Sequence, residues 1–152
     1  MKTRLHISIA CALAGASFAL CLPAQATLGG NVSSVGNDLV RMHATAHSAT
    51  SQSAYTVHLI TLPSGTVVRE YVGTNGIVFG VAWDGPTLPD LKTTLGAAFD
   101  QYVAATATRR STPLAVSNDD LVVFSGGHLR AFVGHAYLPQ AVPAGVHVSV
   151  IQ

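Results

Sequence analysis

Eight residues, Gly76 to Trp83, constrain this fold more than any others. Read as a strand, they put Ile77, Phe79, Val81 and Trp83 on one side and Val78, Gly80 and Ala82 on the other. Neither side carries a polar group. A strand that is apolar on both faces needs cover on both, so it belongs in the middle of a sheet with material packed above and below. Gly80 has no side chain to fill its own space, which lets a neighbouring element approach closely. Asn75-Gly76 before the strand is a hairpin signal. Asp84-Gly85-Pro86 after it ends the strand.

The segments around this strand define the fold class. Residues 54–61 alternate, with Tyr55, Val57 and Leu59 opposite Thr56 and His58, and Pro63-Ser64-Gly65 turns into a second strand over 66–72. Leu91, Leu95, Ala98, Phe99, Tyr102 and Val103 recur at helical spacing and predict an amphipathic helix over about 90–105. Thr87 with Asp90 resembles its capping box, and Arg109 and Arg110 lie just past its end. Further strands are expected at about 113–117, 120–125, 128–137 and 146–151, with Gly126-Gly127 as a hairpin turn. Val35, Leu39, Met42 and Ala46 predict a short N-terminal helix over about 35–47, capped by Ser34. The expectation is α+β: a largely antiparallel sheet of about six strands with the 90–105 helix packed on one face.

The N-terminus reads as an address. Lys2 and Arg4 precede the uncharged run Ile7 to Leu20, Pro23 breaks it, and Ala24-Gln25-Ala26 matches a signal-peptidase site with cleavage after Ala26. The large Leu20 before Cys21 argues against lipid attachment. The expected organisation is a cleaved secretory signal at 1–26, a polar segment with the short helix at 27–53, and a single α+β domain at 54–152. Cleavage removes both cysteines, leaving 126 of the 152 residues with no disulfide and no thiol nucleophile. Six basic side chains then face seven acidic ones, too balanced for a nucleic-acid binder. No later run is long and apolar enough to span a membrane. The expected location is beyond the inner membrane, periplasmic or secreted.

Catalytic signatures are sparse. There is no Gly-x-Ser-x-Gly elbow, and Gly126-Gly127-His128 lacks the ending of a phosphate loop. His43 and His47 have i, i+4 spacing, which on a helix puts both on one face, but Ala44 stands where a metalloprotease needs its general base. They are weak metal candidates. His128 and His135, if they share one strand, face opposite ways. In the segment Val67 to Val72, Arg69 and Glu70 each stand among apolar neighbours on one face, and Arg130 sits similarly between His128 and Phe132. Buried charges need partners, so a structural Glu70–Arg130 pair is one expectation. The other is a shallow binding site built from Arg69, Trp83, His128 and Arg130, since Trp and Arg are enriched in recognition surfaces.

Several segments taken together carry a resemblance. They are Leu28-Gly29-Gly30, Val68-Arg69-Glu70-Tyr71, Val78 to Trp83, Gly85 to Leu91, Asp120 to Val123, Ser125 to His128, Arg130-Ala131-Phe132 and Ala136 to Pro139. With these the chain resembles a family of small exported proteins of Gram-negative bacteria classed as a domain of unknown function. The resemblance implies export and one domain, and it implies no activity. The functional expectation is a non-catalytic binding module with no cofactor and an envelope or extracellular partner. The alternative is a small metal-binding or hydrolytic enzyme using histidines and carboxylates.

Overall fold

The doubly apolar strand is the centre of a seven-stranded antiparallel sheet. A computed structural model describes residues 28–107 and 114–152. Its elements are α1 (Val35–Arg41), β1 (Ala46–Ser51), β2 (Tyr55–Thr61), β3 (Val67–Gly73), β4 (Val78–Gly85), α2 (Leu91–Leu95), α3 (Phe99–Thr106), β5 (Leu114–Ser117), β6 (Val122–His128) and β7 (Ala131–Tyr137). The strand order is β1-β2-β3-β4-β7-β6-β5. Val78 to Trp83 are all buried, as a centrally placed strand requires. The expected signal segment 1–26, Arg109 and Arg110 just past the expected helix, and the start of the 113–117 strand lie outside the described residues.

Two clusters cover the two faces. On one, Val68, Val72, Val81, Trp83, Val123 and Ala136 pack with Val35 of α1 and with Leu95, Ala98 and Tyr102 of the main helical run. On the other, Tyr71, Phe79 and Ala82 pack with Ile151 and the chain leading to it. Gly80 is the point of contact: a Cβ there would lie 2.8 Å from Cδ1 of Ile151. The close approach expected at Gly80 is therefore made by the C-terminal segment. That segment is not the strand expected over 146–151. It forms a 3-10 turn at Val148–Val150 and lies across the face, tied by Gln152 N–H to the Tyr71 hydroxyl (3.3 Å) and by that hydroxyl to the Gln152 carbonyl (3.1 Å). Both edges of β4 are already paired, by β3 and β7, so the alternating valines cover a face instead of joining an edge.

Other departures have local causes. A register shift at Tyr71/Val72 bulges the start of β4. Val78 thereby joins Val81 and Trp83 on the helical face, and Phe79 joins the opposite face with Tyr71. The 90–105 helix is broken at Gly96, whose φ of 51° and ψ of −125° no helix accommodates. A 3-10 turn at Gly96–Ala98 links α2 to α3, and Val103 drops out of the buried stripe. Asp90 itself is the N-cap, accepting from Lys92 N–H (3.0 Å) and the Thr93 hydroxyl (2.7 Å). Thr87 bonds Thr66 instead.

The N-terminal helix ends at Arg41, short of the expected 47. His43 adopts φ of 53°, with its N–H on the Val40 carbonyl (3.1 Å) and the Ala44 N–H on the Leu39 carbonyl (2.8 Å). This is a Schellman ending with His in the position that glycine usually takes. Residues 46–51 then form edge strand β1, which the sequence analysis missed. All six are exposed, so no apolar alternation marks them; pairing with β2 from Ala46↔Thr61 to Ser51↔Thr56 makes the strand. The hairpin turn expected at Gly126-Gly127 also moves. Those glycines lie inside β6, and the two-residue loop is Leu129-Arg130, closed by His128↔Ala131. Among the described residues, no helix is long and apolar enough to cross a membrane.

Candidate functional site

The four residues expected to form one surface fall in three places. Val68 opposes Trp83 in the β3–β4 register, so Trp83 faces the helices while Arg69 faces the other way. Trp83 is 1% exposed, and its indole lies against Gly134, where a Cβ would be 2.2 Å from Cζ2. Trp83 is therefore a core residue, closed off from any surface containing Arg69. Arg69 is half-buried, in a row that reads Leu59, Arg69, Ala82, His135, Phe124 across the sheet. His135 stacks between Phe124 (5.7 Å) and Tyr137 (6.4 Å), and burial lowers its proton affinity.

His128 and Arg130 do come together, at the tip of the β6–β7 hairpin. His128 closes the loop, and Arg130 holds φ of 65°, a left-handed conformation that costs a residue bearing a Cβ about 1–2 kcal/mol. Leu129 between them is 90% exposed. Beneath the loop lies a groove of about 380 Å³ lined by Asp84, Pro86, Arg130, Phe132 and Val133. A second, of about 140 Å³, is lined by Leu88, Leu114, Ser125, Gly127 and Phe132. Phe132 borders both, so the hairpin root is flanked by apolar recesses with Arg130 and Asp84 on one rim. This end offers apolar contact, a guanidinium fork and a carboxylate. Among the described residues, it holds no nucleophile hydrogen-bonded to a base. His128 and His135 lie in different strands and, by register, on the same face of the sheet, which replaces the opposite-face expectation.

Glu70 does not pair with Arg130. It is 1% exposed on the helical face of β3, and its neighbour is Asp38 of α1, 0% exposed. Among the described residues, no other group reaches the four carboxyl oxygens. Burial chiefly, with the facing Asp38 carboxyl added, pushes Glu70 up to about 9. Burial pushes Asp38 up to about 6, with Glu70 and Arg41 pulling the other way. Two facing carboxyls satisfy one another only when one keeps its proton and donates. Sequence reasoning saw that Glu70 needed a partner and chose the wrong one. Asp38 stands in the first turn of α1.

His43 and His47 do not share a helix face: one ends α1 and the other sits on β1. His47 instead meets His58 of β2, Nε2 to Nδ1 at 3.2 Å, with parallel rings 5.4 Å apart. Among the described residues, no group of three or more His, Cys, Asp or Glu side chains is placed to hold a metal ion.

Fold and site together describe an α+β domain built on one seven-stranded sheet, with the Asp38 and Glu70 carboxyls buried in its core. The chain belongs to the family described as "Protein of unknown function (DUF2844)", whose model matches residues 24–151. No curated protein matches it, and no solved structure does.

Proposed function

We propose that this protein is an exported, non-catalytic binding module that contacts its partner with the β6–β7 hairpin end. The observation that carries the reading is Leu129, a large apolar side chain held 90% exposed beside an Arg130 in a costly backbone conformation. The left-handed φ of Arg130 closes the two-residue loop, whereas the exposed Leu129 side chain adds nothing to the core. The adjoining recesses around Phe132 give a partner's apolar side chain somewhere to sit. Arg69 and His135 lie on the same sheet face, separated by the buried Ala82. Export rests on the basic start, apolar run and Ala24-Gln25-Ala26 of the sequence. It places the partner in the envelope or outside the cell.

A photo-crosslinking amino acid at position 129, introduced in the producing cell, tests the surface. A discrete adduct that disappears with Arg130→Ala is expected. The same probe at Val40, exposed on α1, is the control. Identical patterns from the two positions would refute the assignment. Intact mass of protein from the periplasm or medium tests export: the chain should begin at Thr27, and an uncleaved N-terminus would count against it.

A further inference from the structure

His47 stands at i, i+4 spacing from His43, yet the tertiary structure gives it a different partner. Ile60 opposes His47 in the β1–β2 register, so His58, two residues along β2, is the diagonal neighbour on the same face. Six consecutive backbone pairs hold the two strands in this register. The pair is thus set by the sheet, and the two side chains sit at its exposed margin.

We propose that His47 and His58 form a two-imidazole site for a divalent transition-metal ion, selecting Cu²⁺ over Ni²⁺ and Zn²⁺. The distance supports this. His47 Nε2 and His58 Nδ1 are 3.2 Å apart. At metal–nitrogen bonds of about 2.0–2.1 Å, that gap subtends roughly 100° at the ion, between the square-planar and tetrahedral values. The nitrogens now face each other, and rotation of both imidazoles turns their lone pairs towards a shared point. Burial first, and the neighbouring His47 second, lower the proton affinity of His58.

The surroundings define the ion class. Glu70 lies directly across from His58 in register, but its carboxyl is committed to Asp38 in the core. The remaining coordination positions are left to water or to a group from a second molecule. Two imidazole nitrogens suit Cu²⁺, Ni²⁺ and Zn²⁺ in the order of the Irving–Williams series, and offer nothing to Mg²⁺ or Ca²⁺, which take oxygen ligands. The site is independent of the hairpin end and of the function proposed for it.

The test is titration of untagged, full-length protein with CuCl₂ and with ZnCl₂ at pH 7.5, read by calorimetry and, for copper, by electron paramagnetic resonance. One Cu²⁺ per chain is expected, bound at least ~10-fold tighter than Zn²⁺. Nitrogen hyperfine structure should report two imidazoles. His47→Ala and His58→Ala should each weaken copper at least ~10-fold and leave one imidazole in the spectrum, with His43→Ala and His147→Ala unchanged. Stoichiometric copper retained by the His47→Ala/His58→Ala double variant would overturn the site. So would no binding by the parent protein below ~1 mM, or a parent spectrum with one nitrogen.

Discussion

Glu70→Gln removes the acidic partner of Asp38 while keeping its size, and its effect on stability should depend on pH. Between about 6 and about 9 the folded protein holds one proton on the Asp38–Glu70 pair. The unfolded chain, with ordinary carboxyls, holds none there. The folded state binds more protons, so stability falls as pH rises; it is greatest below the ordinary carboxylate range and is lost towards the raised value of Glu70. One proton corresponds to about 1.4 kcal/mol per pH unit, so the parent should lose ~2 kcal/mol between pH 7 and 8.5. For a domain of this size that is roughly 8 °C in Tm. His58 and His135 have lowered proton affinities and act with the opposite sign, but below pH ~6.5, where the unfolded chain takes up more protons. Measurements above pH 7 avoid them. In Glu70→Gln the amide donates permanently to the Asp38 carboxylate, and the slope between pH 7 and 8.5 should vanish. Urea unfolding at pH 7.0, 7.5, 8.0 and 8.5 measures both proteins. Parallel slopes, or a parent that gains stability across this range, would refute the shared proton.

Three further substitutions probe the packing. Gly134→Ala would place a Cβ 2.2 Å from Cζ2 of Trp83 and 2.5 Å from the Phe124 carbonyl oxygen, and should cost at least ~3 kcal/mol; a urea midpoint equal to the parent's would contradict the indole's position. Ile151→Ala removes the side chain that fills the space over Gly80 and should cost ~2–4 kcal/mol, read by thermal unfolding, whereas a freely waving C-terminus would lose nothing. His43→Gly relieves the left-handed residue of the Schellman ending and should raise stability by ~1 kcal/mol in the same assay; a loss would mean the imidazole makes a contact that outweighs the backbone strain.

Where side-chain pattern and burial coincide, the sequence was readable. β2, β3 and β4 alternate or run apolar and appear at the expected positions. β1 carries no pattern because none of it is buried. The helical stripe was legible, but not its break, since a glycine in a helix-period segment announces neither a kink nor its angle. Of the residues expected to share one surface, His128 and Arg130 meet at the β6–β7 hairpin end. Trp83 was misplaced because composition marks tryptophan equally for a core and for an interface.

By itself the sequence determined the α+β class, the central place of Gly76 to Trp83 and the need for cover on both its faces. These follow from local periodicity and from the cost of leaving apolar surface in water. It also determined that Gly80 leaves room for a neighbour to approach. Only the tertiary structure decided which element that is, that Glu70 meets Asp38, and that His47 meets His58. Such partners lie 11 to 71 residues apart in the chain, and their meeting depends on strand order and register. One-residue shifts in register reverse which face every side chain takes, so partnership across a sheet is a property of the assembled fold.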